Sequence, residues 1–245
     1  MAKSLRWINV QSRGRKLRTE KKYYLHLHDY LTLKRKLAST LVLDSHSVDF
    51  DGYNIRSLYF DDPRRSALEE KNDGIFRREK YRIRIYNGSD KTIKVERKSK
   101  FGEFVCKESA PITKDEYRLI LEGEYAFLLE REESLLHEFY AALNTYGFRP
   151  IVIVDYWREA YIYELGNVRI TFDKKLSAGI NTVDLFHPQL VIEEVIPPEL
   201  TIMEVKFDSF LPDHIRQILQ PENNVRSSIS KYVLCREKSI QHFKE

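Results

Sequence analysis

Two alternating runs of residues, joined by a hairpin signal, constrain the fold of this chain more than any other feature. The first run covers residues 80–86 (KYRIRIY), Asn87-Gly88 follows, and the second run covers residues 93–98 (IKVERK). Strict alternation is typical of β-strands, and Asn-Gly favours the two positive φ angles of a type I′ hairpin turn. Because successive side chains point to opposite faces, the charges lie opposite the apolar residues on each strand: Lys80, Arg82 and Arg84 on the first, Lys94, Glu96 and Lys98 on the second. One such hairpin could simply expose its charges to water, so the other strands decide the interpretation.

Other segments repeat this pattern of one charged and one apolar face. Period-two reading predicts strands over residues 17–27, 55–61, 101–107, 151–163, 168–173 and 200–207. The residues assigned to the charged set are Arg18, Lys22, Arg82, Arg84, Lys94, Lys98, Lys107, Arg158, Arg169, Lys206 and Lys231, with Glu20, Glu96 and Glu204. This set carries a net charge of +8, whereas the whole chain carries only +4, so the remaining residues are acidic overall. The positive charge is therefore concentrated.

Helical signals separate the strands. Helices are predicted from Asp29 to Ser39, from Pro63 to Lys71, from the capping box at Thr113 to about Tyr146 with a break at Gly123, over 210–220, and from Ser227 or Ser228 to about His242. Residues 1–16 form a basic lead-in, and residues 17–245 are interpreted as a single domain. The composition of 42% hydrophobic and 32% charged residues is globular. No 18-residue apolar run occurs, and Cys106 and Cys235 lie too far apart for a metal motif, which favours a reducing, cytoplasmic compartment.

The charged faces have a consequence for the architecture. If the helices cover the apolar faces of the strands, the charged faces turn toward one another around a polar tunnel. So many like charges in a narrow space raise the free energy by on the order of several kcal/mol, so a dense anion is expected there. Phosphate chains meet this need, because arginine offers bidentate donors and lysine a compact charge. The three glutamates either neutralise neighbouring cations or hold a divalent ion together with phosphate oxygens, with Glu204 the first candidate ligand and Glu20 and Glu96 behind it.

A series of motifs then resembles a known family. They are Arg18-Thr19-Glu20-Lys21-Lys22-Tyr23, Ser57-Leu58-Tyr59-Phe60-Asp61, Tyr81-Arg82-Ile83-Arg84, Val95-Glu96-Arg97-Lys98, Arg158, residues 168–173 (VRITFD), Met203-Glu204-Val205-Lys206 and Ser230-Lys231-Tyr232. Their order over residues 17–236 resembles the VTC domain, the catalytic domain of vacuolar transporter chaperone polyphosphate polymerases, within the CYTH-like triphosphate tunnel metalloenzymes. The resemblance implies an α+β fold with a closed antiparallel β-barrel of about eight strands and helices packed outside.

The resemblance also implies a reaction and its ligands. These are transfer of the terminal phosphoryl group of ATP to a growing polyphosphate chain, assisted by Mn²⁺ or Mg²⁺. The resemblance marks Arg82, Arg84, Lys98, Lys107, Arg158, Arg169, Lys206 and Lys231 as phosphate ligands and Glu204 as the metal ligand. Together with the charged faces, this predicts Arg82, Arg84, Lys98, Arg158, Arg169 and Lys206 as catalytic, Arg18, Lys22, Lys94, Lys107 and Lys231 as substrate-binding, and Glu204, Glu20 and Glu96 as metal ligands. No regulatory SPX-type domain or membrane segment is recognised in the sequence, so a separate membrane protein partner is left open.

Two other functions stay open at this point. The first strand has one clear acidic position, Glu20, where tunnel triphosphatases have a paired ExExK motif, which favours a polymerase over a triphosphatase. A non-catalytic module that binds polyphosphate or an inositol phosphate is the other alternative. Binding of nucleic acid is not expected, because few aromatic residues are predicted on the charged faces to stack bases.

Overall fold

The computed structural model describes residues 17–44, 47, 52–102, 104–220 and 228–242. The lead-in at residues 1–16 lies outside the described residues, as does Ser227, one of the two predicted starts of the last helix. The other predicted start, Ser228, is wrong, because the helix begins at Lys231. Within the described ranges, no helix is long and apolar enough to cross a membrane.

Ten strands form one antiparallel sheet in the described part of the chain, and eight of them close into a ring. The strands are β1 (Arg18–His26), β2 (Val42–Leu43), β3 (Tyr53–Asp61), β4 (Arg77–Tyr86), β5 (Ser89–Phe101), β6 (Phe104–Ile112), β7 (Arg149–Tyr163), β8 (Val168–Gly179), β9 (Ile192–Glu194) and β10 (Leu200–Phe207). Around the ring the order is β7-β3-β4-β5-β6-β1-β10-β8, and β8 pairs with β7 to close it. The short strands β2 and β9 pair with β7 and β8. The predicted closed antiparallel sheet of eight strands is confirmed.

The hairpin of β4 and β5 has the predicted turn. Asn87 and Gly88 adopt φ angles of 52° and 64°, as a type I′ turn requires. The register places Arg82 opposite Glu96 and Lys80 opposite Lys98. Both strands are longer than predicted, since β4 starts at Arg77 and β5 continues to Phe101 before the turn at Gly102. This extension lengthens the charged face of the hairpin.

Six helices connect the strands in the described residues. They are α1 (Leu27–Ala38), α2 (Ser66–Asn72), α3 (Lys114–Glu122), α4 (Ser134–Asn144), α5 (Asp213–Leu219) and α6 (Lys231–His242), with short 3₁₀ turns at Ala126–Leu129 and Leu165–Asn167. The capping box at Thr113 is present. The Thr113 hydroxyl accepts a hydrogen bond from the backbone N–H of Glu116, and the Glu116 carboxylate accepts one from the backbone N–H of Thr113. Gly123, with φ of 89°, ends α3, so the predicted long helix is two helices.

Two predicted helix starts are wrong. Helix α1 begins at Leu27, directly after β1, so Asp29 lies in its first turn and does not cap it. Helix α2 begins at Ser66 and not at Pro63, because the Asp62 carboxylate accepts bonds from the backbone N–H (2.9 Å) and the hydroxyl (2.6 Å) of Ser66. Pro63 lies in the turn before the helix.

Helices cover the outward, apolar face of the ring in two places. Helices α3 and α4 pack on β3, β4 and β5 through fully buried residues that include Leu58, Ile83, Val95, Leu136 and Phe139. Helices α1 and α5 pack on β1, β8 and β10 through a second cluster that includes Leu25, Leu37, Phe172, Val205 and Ile215. Each buried aliphatic side chain contributes about 1.5–3 kcal/mol relative to exposure, so these two faces fix which side of each strand points inward.

Helix α6 differs from the others because it packs against inward-pointing residues. Its Tyr232 and Cys235 share a buried cluster with Val154 and Tyr156 of β7, which lie on the same face as Arg158. The segment 228–232 thereby reaches the interior of the ring. The N-terminal end of α6 adds Lys231 to the wall of this interior.

Candidate functional site

The interior of the ring is a cavity of about 640 Å³ with a strongly cationic wall. Thirteen of the described lining side chains are cationic: Arg18, Lys22, Arg78, Lys80, Arg82, Arg84, Lys98, Lys100, Lys107, Arg158, Arg169, Lys206 and Lys231. Two described carboxylates, Glu20 and Glu204, line it as well. The period of two along each strand places these side chains together, because the alternate residues point to the outer face, where many of them, such as Ile83 and Val205, are buried under helices. We call this cavity the tunnel.

Glu96 organises the arginines of β4 from behind the wall. It is fully buried and accepts bonds from Arg82 (Nε at 2.7 Å) and Lys107 (Nζ at 2.7 Å), with Arg84 at 3.7 Å. Burial alone would raise the pKa of Glu96, but the charges of Arg82 and Arg84 hold it well below its usual range. Glu96 is therefore an anion that orients two guanidinium groups.

A second buried group joins β7, β8, β10 and α6. Arg158 forms a bidentate pair with Asp173, from Nε to Oδ1 at 2.6 Å and from Nη2 to Oδ2 at 2.8 Å. Lys231 contacts Asp173 at 2.6 Å and Glu204 at 3.6 Å. Burial would raise the pKa of Asp173, but Arg158 and Lys231 lower it to about 2. This group holds Arg158 and Lys231 rigidly at the tunnel wall.

Glu20 and Glu204 lie on the neighbouring strands β1 and β10. Glu20 is opposite Lys206 in the register and contacts Lys98 at 2.7 Å and Lys22 at 3.2 Å. Glu204 contacts Lys206 at 3.0 Å. Burial and the charge of Glu204 both raise the pKa of Glu20, but the surrounding lysines outweigh them and lower it overall. Both carboxylates are therefore ionised within the tunnel.

Tyrosines hold several of the arginines through neutral oxygens. The Tyr59 hydroxyl accepts from Arg82 at 2.8 Å, and the Tyr53 hydroxyl accepts from Arg169 at 2.9 Å. The Tyr156 hydroxyl accepts from Arg84 at 3.3 Å. Burial opposes ionisation of Tyr59, but Arg82 and Arg84 lower its pKa overall. These phenols orient guanidinium groups while leaving their positive charge available to a ligand.

Burial lowers the pKa of four described lysines of the tunnel: Lys80, Lys98, Lys100 and Lys206. Burial and the nearby charge of Arg78 lower the pKa of Lys80 to about 7. Burial also lowers the pKa of Lys206 to about 8, although Glu204 and Glu20 oppose this shift. The carboxylates near these lysines therefore do not fully offset the cost of burying their positive charge.

The residues proposed from the sequence are mostly brought together. Thirteen of the fourteen lie at the tunnel: twelve line it, and Glu96 lies just behind its wall. Arg18 and Arg169 are also paired with carboxylates, Asp208 at 3.1 Å and Asp44 at 2.5 Å. The structure does not bring Lys94 into the tunnel lining, although it lies opposite Arg84 in the register.

Several site residues were missed by sequence reasoning. They are Arg78 and Lys100 among the cations, Asp44 and Asp173 among the buried partners, and the tyrosines Tyr53, Tyr59, Tyr86, Tyr156 and Tyr232. Lys80 was placed on the charged face of its strand but was not included among the site residues. The expectation of few aromatic residues on the charged faces is wrong, because these five tyrosines line the tunnel. Extending the alternation of β4 and β5 by one pair would have found Arg78 and Lys100.

The donor set bears on whether a divalent cation fits. Among the described residues, no three acidic, histidine or cysteine side chains are grouped as a metal site. Glu20 and Glu204 are nonetheless near enough for their charges to interact and belong to adjacent strands. Mg²⁺ commonly uses one or two carboxylates plus substrate phosphates and water, so these two residues fit such an ion only together with a bound phosphate.

Comparison with known proteins identifies relatives of this arrangement. The profile of the VTC domain family matches residues 17–240. A candidate adenylyl cyclase from Hippeastrum, described as having a dominant triphosphatase activity, is similar with a TM-score of 0.54 and 12% identity, over 91% of this chain and 96% of that one. A candidate adenylate cyclase from Bacillus halodurans has a TM-score of 0.50 and 15% identity, over 89% and 95%. At these identities the two structures establish a shared fold. Among curated proteins, no match to the chain is found.

Proposed function

The chain belongs to the VTC domain family, and on this basis we propose that it is a polyphosphate polymerase. In this reaction the terminal phosphoryl group of ATP passes to the end of a polyphosphate chain. The observation that carries the proposal is the enclosed tunnel, with thirteen described cations against two described carboxylates in its lining. Such an excess of like charge favours a ligand with many closely spaced negative charges.

The geometry suits phosphoryl transfer. That reaction depends on positioning and charge stabilisation more than on a protein nucleophile. Arg82, Arg84 and Arg158 have their guanidinium groups fixed by buried acceptors, so they can meet phosphate oxygens without reorganising. Serine and tyrosine hydroxyls hold Arg84 at 3.0 Å and 3.3 Å. These three arginines are proposed to bind the triphosphate.

The proposed reaction forms one bond to the γ-phosphorus of ATP and breaks another. A terminal oxygen of the acceptor chain forms a bond to the γ-phosphorus of ATP, the bond from that phosphorus to the β,γ-bridging oxygen breaks, and ADP leaves. Lys206 and Lys98 lie where they can neutralise charge on the phosphates. Glu204 and Glu20 would hold Mn²⁺ or Mg²⁺, which when bound neutralises phosphate charge and orients the phosphate oxygens.

A tunnel triphosphatase is the second candidate, in which water replaces the acceptor chain. It is favoured by the adjacent carboxylates Glu20 and Glu204, and the fold is shared with the Hippeastrum protein described as a triphosphatase. Against it, Arg18 occupies the position two residues before Glu20, where a second carboxylate would be expected on the same face. An additional cation there suits a longer anion.

The test is the product formed by the purified protein from ATP with Mn²⁺ or Mg²⁺. A polymerase yields long chains that a polyphosphatase degrades, whereas a triphosphatase yields only short phosphates. Arg82→Ala should abolish the product, and Lys91→Ala, on the exposed part of the same hairpin, should not. Release of orthophosphate alone would overturn the polymerase. Tight, salt-sensitive binding of polyphosphate without turnover would indicate a binding module.

A further inference from the structure

One buried hydroxyl of the ring forms no hydrogen bond within the described part of the chain. It belongs to Thr171 on β8, which is fully buried. Ile170 and Phe172 belong to the outer apolar cluster, so Thr171 points toward the interior, on the same face as Arg169 and Asp173. A buried polar group without a partner is uncommon and costs stability, and valine would fill the same space without that cost. The hydroxyl therefore indicates a role other than packing.

The strand register places this hydroxyl beside Glu204. Thr171 lies directly opposite Glu204 of β10 on one side and Ala160 of β7 on the other. Directly opposed residues on antiparallel strands have Cβ atoms about 4.5–5.5 Å apart, which a hydroxyl and a glutamate carboxylate can span. Ala160 has no polar side-chain atom. Glu204 is therefore the polar side chain that the register places directly opposite Thr171.

Glu204 itself is surrounded by cations. Its Oε1 contacts Lys206 at 3.0 Å, and its Oε2 lies 3.6 Å from both Arg158 and Lys231. A divalent cation bound to Glu204 would repel each of these groups, whereas a hydroxyl is neutral and is not repelled. Thr171 is therefore a neutral donor that can hold the carboxylate of Glu204 while that carboxylate binds a cation.

We propose that Thr171 is a positioning residue for the divalent-cation site, whose hydroxyl donates a hydrogen bond to Glu204 when that carboxylate binds Mn²⁺ or Mg²⁺. The inference rests on the proposed function in taking Glu204 as a metal ligand. Carboxylates that bind metals are themselves hydrogen-bonded, and loss of such an outer partner typically weakens metal binding about 10–100-fold. In the structure Glu204 contacts Lys206 instead, which accounts for the unpaired hydroxyl of Thr171.

The experiment compares the binding of two ligands to the full chain by calorimetry. One is tripolyphosphate with excess Mn²⁺, and the other is tripolyphosphate with a chelator in place of Mn²⁺. Thr171→Val removes the hydroxyl, keeps the shape of the side chain, and should weaken binding of the Mn²⁺ complex about tenfold. Binding of metal-free tripolyphosphate should change less than about twofold, because every cation of the tunnel is unchanged. The matched control, Thr92→Val, makes the same change at an exposed position of β5 and should bind both ligands as the unaltered protein does.

Two further measurements separate this role from a purely structural one. Thr171→Val removes a buried hydroxyl without a partner, so without metal it should unfold at the same or a higher temperature than the unaltered protein. Thr171→Ser and Thr171→Ala leave nearly the same small gap, but only the first keeps a hydroxyl. Thr171→Ser should therefore retain most of the Mn²⁺-dependent binding, and Thr171→Ala should lose it.

Three results would overturn the positioning role. The first is equal binding of the Mn²⁺ complex by Thr171→Val and Thr92→Val. The second is an equal loss of that binding in Thr171→Ser and Thr171→Ala. The third is a lower unfolding temperature for Thr171→Val, which would show that the hydroxyl stabilises the fold itself.

The proposed function and the positioning role fail in different ways. If the unaltered protein forms no polyphosphate but Thr171→Val selectively loses Mn²⁺-dependent binding, the polymerase is wrong and the positioning role stands. If the protein forms polyphosphate and Thr171→Val matches its control, the positioning role is wrong and the polymerase stands. If Mn²⁺ does not strengthen the binding of tripolyphosphate to the unaltered protein, the metal assignment of Glu204 and the positioning role are both wrong.

Discussion

Replacing Glu96 by glutamine tests whether buried carboxylates hold the tunnel together. The substitution keeps the shape of the side chain and removes its charge. Arg82 and Arg84, whose side chains are only 11% and 6% exposed, then keep their charges without their shared carboxylate partner. We therefore expect Glu96→Gln to lower the free energy of unfolding. It leaves the residues that line the tunnel unchanged, because Glu96 lies behind the wall.

The magnitude follows from the burial of the pair. Removing one partner of a buried ion pair costs about 3–5 kcal/mol. We take the lower value of about 3 kcal/mol, because the third partner, Lys107, is 47% exposed and keeps its hydration. In a domain of this size this corresponds to a melting temperature lower by about 6–12 °C.

The assay is thermal unfolding with and without tripolyphosphate. Phosphate oxygens can replace the lost carboxylate, so the ligand should raise the melting temperature of Glu96→Gln more than that of the unaltered protein. The control is Glu108→Gln on the neighbouring strand β6, opposite Arg97 in the register, where Arg97 keeps Glu138 and Glu79. The control should lose less stability and gain nothing extra from the ligand.

The pH dependence of the stability difference between Glu96→Gln and the unaltered protein is a second test. The pKa of Glu96 is depressed in the folded protein, so its contribution is present above the unfolded value and is lost as pH falls through the folded one. The unfolded value is about 4.3, so the difference between variant and parent should shrink below that pH. The reasoning would be refuted by a small difference in melting temperature between Glu96→Gln and the unaltered protein at neutral pH. It would also be refuted if tripolyphosphate raised the melting temperatures of Glu96→Gln and Glu108→Gln equally.

Four other outcomes are expected. Glu204→Gln should lose metal-dependent turnover while still binding tripolyphosphate, and an unchanged metal dependence would contradict its assignment. Arg158→Lys cannot form the bidentate pair with Asp173 and should lower kcat/KM about 10–100-fold, with wild-type kinetics as the contrary result. Gly52→Ala should lower the melting temperature, because its φ is 95° and a Cβ would lie 2.0 Å from the Arg158 carbonyl oxygen; an unchanged value would rule this out. Lys80 has a pKa of about 7. Polyphosphate should therefore bind more weakly as pH rises above 7, and the protein should take up a proton when polyphosphate binds. Calorimetry in buffers of different ionisation enthalpy detects this proton uptake. The charged and titratable groups around Lys80 are Arg78, Asp61, Lys22, Lys98 and Tyr232.

The β4–β5 hairpin and the inward face of its strands could be predicted from the sequence because their determinants are local. Asn87-Gly88 fixes the hairpin turn, and the period of two along residues 80–86 fixes which side chains point inward. Neither depends on a distant contact. For the same reason Arg82 and Arg84 could be assigned to one wall before their partners were known.

The partners of these cations were not predictable, because they come from distant elements. Arg169 meets Asp44, which lies outside the strands, and Lys231 reaches Asp173 only because α6 enters the ring. Asp173 ends the predicted strand over residues 168–173, but its pairing with Arg158 depends on the register of β7 and β8. Helix α6 itself carries apolar residues that resemble those of the outer helices, so the sequence does not reveal which face it covers.

The mixture of partners explains how a cationic tunnel can both fold and bind. If every cation had a carboxylate, the tunnel would be stable but would offer an anion little net charge. If none had one, the repulsion would oppose folding. Buried carboxylates such as Glu96 and Asp173 stabilise the fixed arginines, and neutral phenols such as Tyr59 orient them without cancelling their charge. Within the described residues Lys80 and Lys100 line the tunnel without an ion pair, so we expect a bound anion to interact favourably with them.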